Sequence, residues 1–60
     1  MTSYYAMIFD LVDERTLRVE KCNSREDAVE KAKGFQEFIE DKRSWLIDRW
    51  RAQVMEVEEN

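Results

Sequence analysis

One cysteine, Cys22, and no histidine occur in this chain of 60 residues, so neither an internal disulfide nor a structural zinc site can hold it together. A chain this short buries only about 60% of the surface its unfolded form exposes. Below roughly 70 to 80 residues, a single core rarely supplies more than about 3 to 5 kcal/mol. The expectation is one small domain, residues 1–60, that depends on apolar packing and draws further support from self-association or a partner. A homodimer is the default form of that support.

Apolar residues make up 43% of the chain and charged residues 40%, with both signs present and a net charge of -4. Sparse apolar content with unbalanced charge is what keeps a chain disordered, and here the apolar residues are organised. No run approaches the roughly 18 apolar residues of a membrane span, and the first residues lack the basic-then-apolar layout of a signal peptide. The chain therefore reads as soluble and cytoplasmic, where a lone thiol stays reduced.

Tyr4 to Val12 is rich in aromatic and branched residues, with Tyr5, Met7, Phe9 and Leu11 on one side of an extended strand. Leu17 to Lys21 alternates apolar with charged, as a half-buried strand near a sheet edge does. A hairpin with a three-residue loop at Asp13-Glu14-Arg15 would set Leu11 opposite Leu17 and Phe9 opposite Val19; an even loop would bring Asp10 beside Val19. That loop has neither Gly nor Asn, so its turn type is weakly specified. Tyr4, Ala6, Ile8 and Val12 fall on the other face, which is too apolar for water alone. Its expected cover is a dimer mate, a partner protein, the C-terminal segment or neighbouring side chains.

Ser24 followed by Arg25-Glu26-Asp27 is a helix start: a serine oxygen can accept from a free backbone N–H, and acids complement the positive helix end. Ala28, Val29, Ala32, Phe35 and Ile39 recur at helical spacing, and Asp27 precedes Lys31 by four residues. Gly34 interrupts this stretch and implies either close approach of the helix to the sheet or a bend. Beyond Asp41, Leu46, Trp50, Val54 and Val57 align on a helix, whereas Trp50, Ala52 and Val54 align on a strand. A lone hairpin is marginal, and a third strand offers the helix a wider bed. The fold class expected is α+β, an antiparallel β-hairpin followed by one main helix and a third strand near Trp50 to Val57 (ββαβ); the alternative is ββα with a long C-terminal helix.

Without histidine the commonest general base is missing, and one glycine cannot build a phosphate loop. Glu37, Glu40 and Asp41 read as a solvated helix face rather than a catalytic cluster. Asp10, within an apolar strand, has a raised pKa if buried and an ordinary role if edge-exposed. Cys22 sits between Lys21 and a helix start, an environment that lowers a thiol pKa, but no base accompanies it and a structural cysteine is the simpler reading. No catalytic, cofactor-binding or metal-ligating residue is assigned, and an enzyme is not expected.

Lys42 to Arg51 holds both tryptophans and four bases against Asp48, while residues 25–41 carry six acids against three bases. Three readings compete: tryptophans in the core with solvated arginines, a protein-binding surface, or a nucleic-acid surface where bases stack on rings. A sequence pI near 4.7 opposes the last, since phosphate affinity comes from neutralising charge. An acidic helix face that mimics DNA fits the charge sign better. The residues assigned to partner binding are Arg43, Trp45, Arg49, Arg51, Tyr4 and Ile8, with Trp50 in phase with Ala52 and Val54 as the core tryptophan.

The order of hairpin, capped helix beginning Ser24-Arg25-Glu26-Asp27-Ala28 and final strand resembles small phage proteins that inhibit host enzymes, such as the phage inhibitors of bacterial RNA polymerase. The resemblance is architectural and transfers no functional residue. It implies an inhibitor or adaptor. Together with the small size, the lack of catalytic groups and the two-sided apolar hairpin, the expectation is a noncatalytic inhibitor or modulator, of phage or mobile-element origin, that occludes a larger macromolecular partner; composition and motifs call for no cofactor and no membrane contact. The alternative is a nucleic-acid-binding module or an acidic DNA mimic.

Overall fold

The apolar alternation and the serine cap produce the expected element order. The computed structural model describes residues 1–59: β1 (Thr2–Asp10), β2 (Arg15–Cys22), α1 (Arg25–Lys42), a single 3-10 turn at Ser44–Leu46, and β3 (Trp50–Glu58). The strands form one antiparallel sheet in the order β2-β1-β3, so the first strand is central and is hydrogen-bonded on both sides. Because β2 and β3 each run antiparallel to β1, they are parallel to one another. A crossover is then required between them, and α1 supplies it.

The helix lies on the Ala6 and Ile8 face of β1. Three contacts fix this assignment: Lys31 Nζ reaches Glu20 Oε2 at 3.3 Å, Arg25 Nε reaches Glu56 Oε1 at 3.2 Å, and the Arg18 guanidinium sits 5.5 Å from the Phe35 ring centre. Glu20, Glu56 and Arg18 are the register partners of Ala6, Tyr4 and Ile8, and partners share a face. Ala6, Ile8, Ala28 and Ile39 are buried together in the resulting core. The face expected to need an outside cover is thus covered by the chain's own helix, and the Tyr5, Met7 and Phe9 face is the open one. Lys31, four residues after Asp27, pairs across to β2 instead of along the helix.

The hairpin differs from its expected register by two residues. Val19 pairs with Met7, Thr16 with Phe9 and Arg15 with Asp10, with a bulge opposite the Ile8/Phe9 step that takes in Leu17. The cause is Asp10, whose Oδ1 accepts from the backbone N–H groups of Val12 (2.9 Å) and Asp13 (3.1 Å) and turns the chain there. The turn therefore spans four residues, Leu11 to Glu14, and Glu14 takes a left-handed φ of 53° in the absence of a glycine. An even loop alone would exchange the faces of β2. The bulge adds one residue and restores Val19 to the Met7 and Phe9 side.

Ser24 caps α1 as its sequence implies: its backbone is extended and its Oγ accepts from the Asp27 N–H at 3.1 Å. The helix ends where Arg43 leaves helical geometry, while the Arg43 N–H still donates to the Ile39 carbonyl at 3.0 Å. Gly34 does not interrupt the helix, and no close approach to the sheet requires it. It lies within an uninterrupted helix, and a Cβ built there meets nothing within 4 Å. Gly34→Ala should therefore stabilise the domain by about 1 kcal/mol, since alanine restricts the unfolded chain and fits the native site. Urea unfolding would register this as a higher midpoint with unchanged slope; an unchanged or lower midpoint would contradict it.

Candidate functional site

Residues 43–49 carry the chain from the end of α1 to the start of β3 by successive tight turns. The N–H groups of Leu46, Ile47 and Arg49 donate to the carbonyls of Arg43, Ser44 and Leu46. The Arg49 carbonyl then accepts from the Leu11 N–H at 2.6 Å, which joins this connection to the tip of the hairpin. The same residue binds the tip through its side chain, placing Nη2 3.0 Å from Asp10 Oδ2 and 3.2 Å from Asp13 Oδ2.

Asp10 is 2% exposed, so the edge-exposed reading fails. Its raised-pKa alternative fails as well. Burial pushes the carboxyl up, but hydrogen bonds from Arg49 and from the Asp13 and Val12 backbones, with the Arg49 charge, outweigh it and lower the pKa from 3.8 to about 2. The hydrogen bond to Asp10 is also the leading cause that raises Arg49 above its ordinary value. Asp10 and Arg49 thus form a structural lock, with every oxygen of the buried carboxylate engaged. Arg49, assigned to partner binding from sequence, is half-buried and turned inward to this lock.

The two tryptophans differ in exposure, but Trp50, expected in the core, is not among the buried residues. Trp50 is half-buried and pairs with Asp10 at the start of β3, in phase with Ala52 and Val54 on the helix-covered face. Trp45 is 72% exposed. The Arg43 guanidinium lies 5.7 Å from the Trp45 ring centre and 5.6 Å from that of Phe38, and its Nη1 donates to the Lys42 carbonyl at 2.8 Å. A cation held over aromatic faces contributes about 0.5 to 1 kcal/mol at an exposed site, enough to bias a long side chain toward one pose. Phe38, Arg43 and Trp45 therefore present a preformed aromatic and cationic knob at the C-terminal end of α1.

Phe38 was not among the residues singled out from sequence. Its signal was present: it falls off the Ala28, Ala32, Phe35 and Ile39 stripe, so a helical Phe there must face outward. Of the remaining assigned residues, Tyr4 is half-buried and Ile8 is 6% exposed, both on the face that α1 covers, so Ile8 is core. Arg51 is exposed, and its register places it beside Phe9 on the open face. Cys22 is half-buried beside a groove of about 650 Å³ between β2 and α1, whose lining includes Asp27, Lys31, Gly34 and Phe35. Its Sγ is 3.7 Å from the Glu20 carbonyl oxygen. Glu37, Glu40 and Asp41 are exposed, and no helix among the described residues is long and apolar enough to cross a membrane.

No protein-family model matches the chain, and no curated protein or solved structure matches it either.

The Asp10 lock has a definite pH signature. Between 3.8 and about 2 the unfolded chain takes up a proton at Asp10 that the folded chain refuses, so this contribution is complete above the window and is lost as pH falls through it. Thermal melts from pH 7 to pH 2 should show a flatter acid limb for Asp10→Asn than for the wild type. Arg49→Ala should lower the pH 7 midpoint more than Arg43→Ala, because it leaves a buried carboxylate without its cation. Equal midpoints for the two arginine variants would remove the lock from the account.

Proposed function

We propose that this protein is a small noncatalytic interaction module that binds a larger macromolecular partner in the cytoplasm and modulates it by occluding part of its surface. The single observation that carries this reading is Trp45, 72% exposed and held beside Arg43 and Phe38. Exposed aromatics grouped together, as Phe38 and Trp45 are around Arg43, mark an interaction site more than a lone one does, and Trp with Arg dominates binding energy at protein interfaces. Holding Arg43 against the Phe38 and Trp45 rings before binding reduces the ordering cost that a free arginine would meet on docking. Ile47, exposed two residues after Trp45, extends the apolar area of the same turn.

Capture of the tagged protein from lysate, followed by affinity measurement on the recovered partner, tests the reading. Wild type should retain a stoichiometric protein, and Trp45→Ala should weaken binding by about 2 kcal/mol or more, roughly thirtyfold, with Arg43→Ala weaker by a smaller factor. Because Trp45 is exposed, the circular dichroism spectrum of the variant should match that of the wild type. Equal retention by wild type and Trp45→Ala would overturn the assignment of the knob.

A further inference from the structure

We infer that the open face of the sheet, built on Tyr5, Met7 and Phe9 with Lys21 and Arg51 at opposite corners, receives an amphipathic helix of a partner protein that carries carboxylates on both sides of its apolar stripe. The site is separate from the Trp45 knob and does not depend on that reading.

The face is apolar and uncovered. Tyr5 lies between Lys21 and Met55, Met7 between Val19 and Gln53, and Phe9 between Thr16 and Arg51. Val19 is 50% exposed and Met55 38%, while the central Met7 is sheltered by its neighbours. Charge separates the two sides of the sheet. Glu20 and Glu56, the acids flanking β1 on β2 and β3, face α1, and Glu58 pairs in register with Thr2 on that same side. No carboxylate lies among the positions in register with Ser3, Tyr5, Met7 and Phe9, and neither Lys21 nor Arg51 forms an ion pair among the described residues.

Dimensions select a helix. Outer strands of a three-stranded sheet lie about 10 Å apart, which matches the roughly 10 Å diameter of one helix. The same sheet already seats α1 on its other face. Lys21 and Arg51 are separated along the strands by the Tyr5 to Phe9 interval, about 14 Å, and a helix spans that distance in about nine residues. The matching ligand has two acids about nine residues apart, one on each side of its apolar stripe.

Charge also decides against the other occupants. Along the stretch from Ser3 to Phe9, the open face of a second copy brings the same two cations and no acid, so self-pairing there would bury charges without partners. A nucleic-acid strand gains only two phosphate contacts there, against a chain of net charge -4.

The test uses the whole protein, isotope-labelled, and a 14-residue helical peptide with a leucine stripe flanked by two glutamates at the stated spacing, compared with the same peptide carrying lysines instead. The glutamate peptide should shift the amides of Tyr5, Met7, Phe9, Val19 and Met55 and bind about tenfold tighter than the lysine peptide, as expected from two exposed charge pairs changing sign. Lys21→Glu with Arg51→Glu should invert that preference. Lys21→Gln with Arg51→Gln, the milder change, should abolish it while leaving the spectrum folded. Absence of binding by either peptide, shifts confined to α1 or the Trp45 turn, or an unchanged preference in folded variants would overturn the inference. So would stronger shifts of the same amides by oligothymidylate, or a wild-type dimer that buries this face.

Discussion

Packing of α1 against the central strand is the interaction on which the rest of this molecule depends. Ala6 and Ala28 are both fully buried, and small side chains let a helix lie close to a sheet while Ile8 and Ile39 fill the space beside them. Every other element is referred to β1: β2 and β3 hydrogen-bond to its two edges, and the helix that connects them crosses its face. With so few buried residues, no single contact has a substitute. The Arg18 and Lys31 contacts to Phe35 and Glu20, and the Arg25 contact to Glu56, act at the rim of this core, where exposed ion pairs contribute little each but exclude other orientations of the helix.

The Asp10 lock solves a different problem. A hairpin tip and a crossover connection meet at the end of the sheet, far from the helix start, and neither contains a glycine or proline to set its shape. Asp10 closes the hairpin through Val12 and Asp13, and Arg49 then fastens the incoming chain to the same carboxylate so that β3 begins in register at Trp50. One buried acid thereby fixes the length of β1, the tip of the hairpin and the register of β3.

Much of this order was legible in the sequence because it is written locally. The Ser24 cap, the strand phase of Trp50, Ala52 and Val54, and the outward Trp45 each follow from spacing over a few residues. The register was not, since Asp10 acts on β3 through a residue 39 positions away and the bulge at Leu17 compensates an even loop. The choice of face was not legible for a different reason: β1 is apolar on both sides, so alternation distinguishes the faces without saying which one the helix takes. For the candidate site, Arg43 and Trp45 were recognisable by type, whereas Arg49 is the same type turned inward by two acids and Ile8 belongs to the core. Phe38 carries no cap, charge-pair or motif signal, and only its place off the Ala28, Ala32, Phe35 and Ile39 stripe marks it.

The uneven placement of charge follows from the same topology. Residues 25–41 hold six acids against three bases, and Glu30, Glu37 and Asp41 project from the side of α1 away from the sheet, while the charged residues in register with Tyr5, Met7 and Phe9 on the open face are the cations Lys21 and Arg51. The molecule is therefore negative above the helix and positive below the sheet, a separation that orients an approaching charged surface before contact. Copies of the chain meeting sheet to sheet oppose like charges, and a helix-to-sheet stack is heterologous, growing as a filament unless its rotation closes a ring. The net charge of -4 resists such growth at distances within the screening length. An apolar face that is unfavourable to its own copies, yet complementary to a helix flanked by acids, can stay open in solution without being idle.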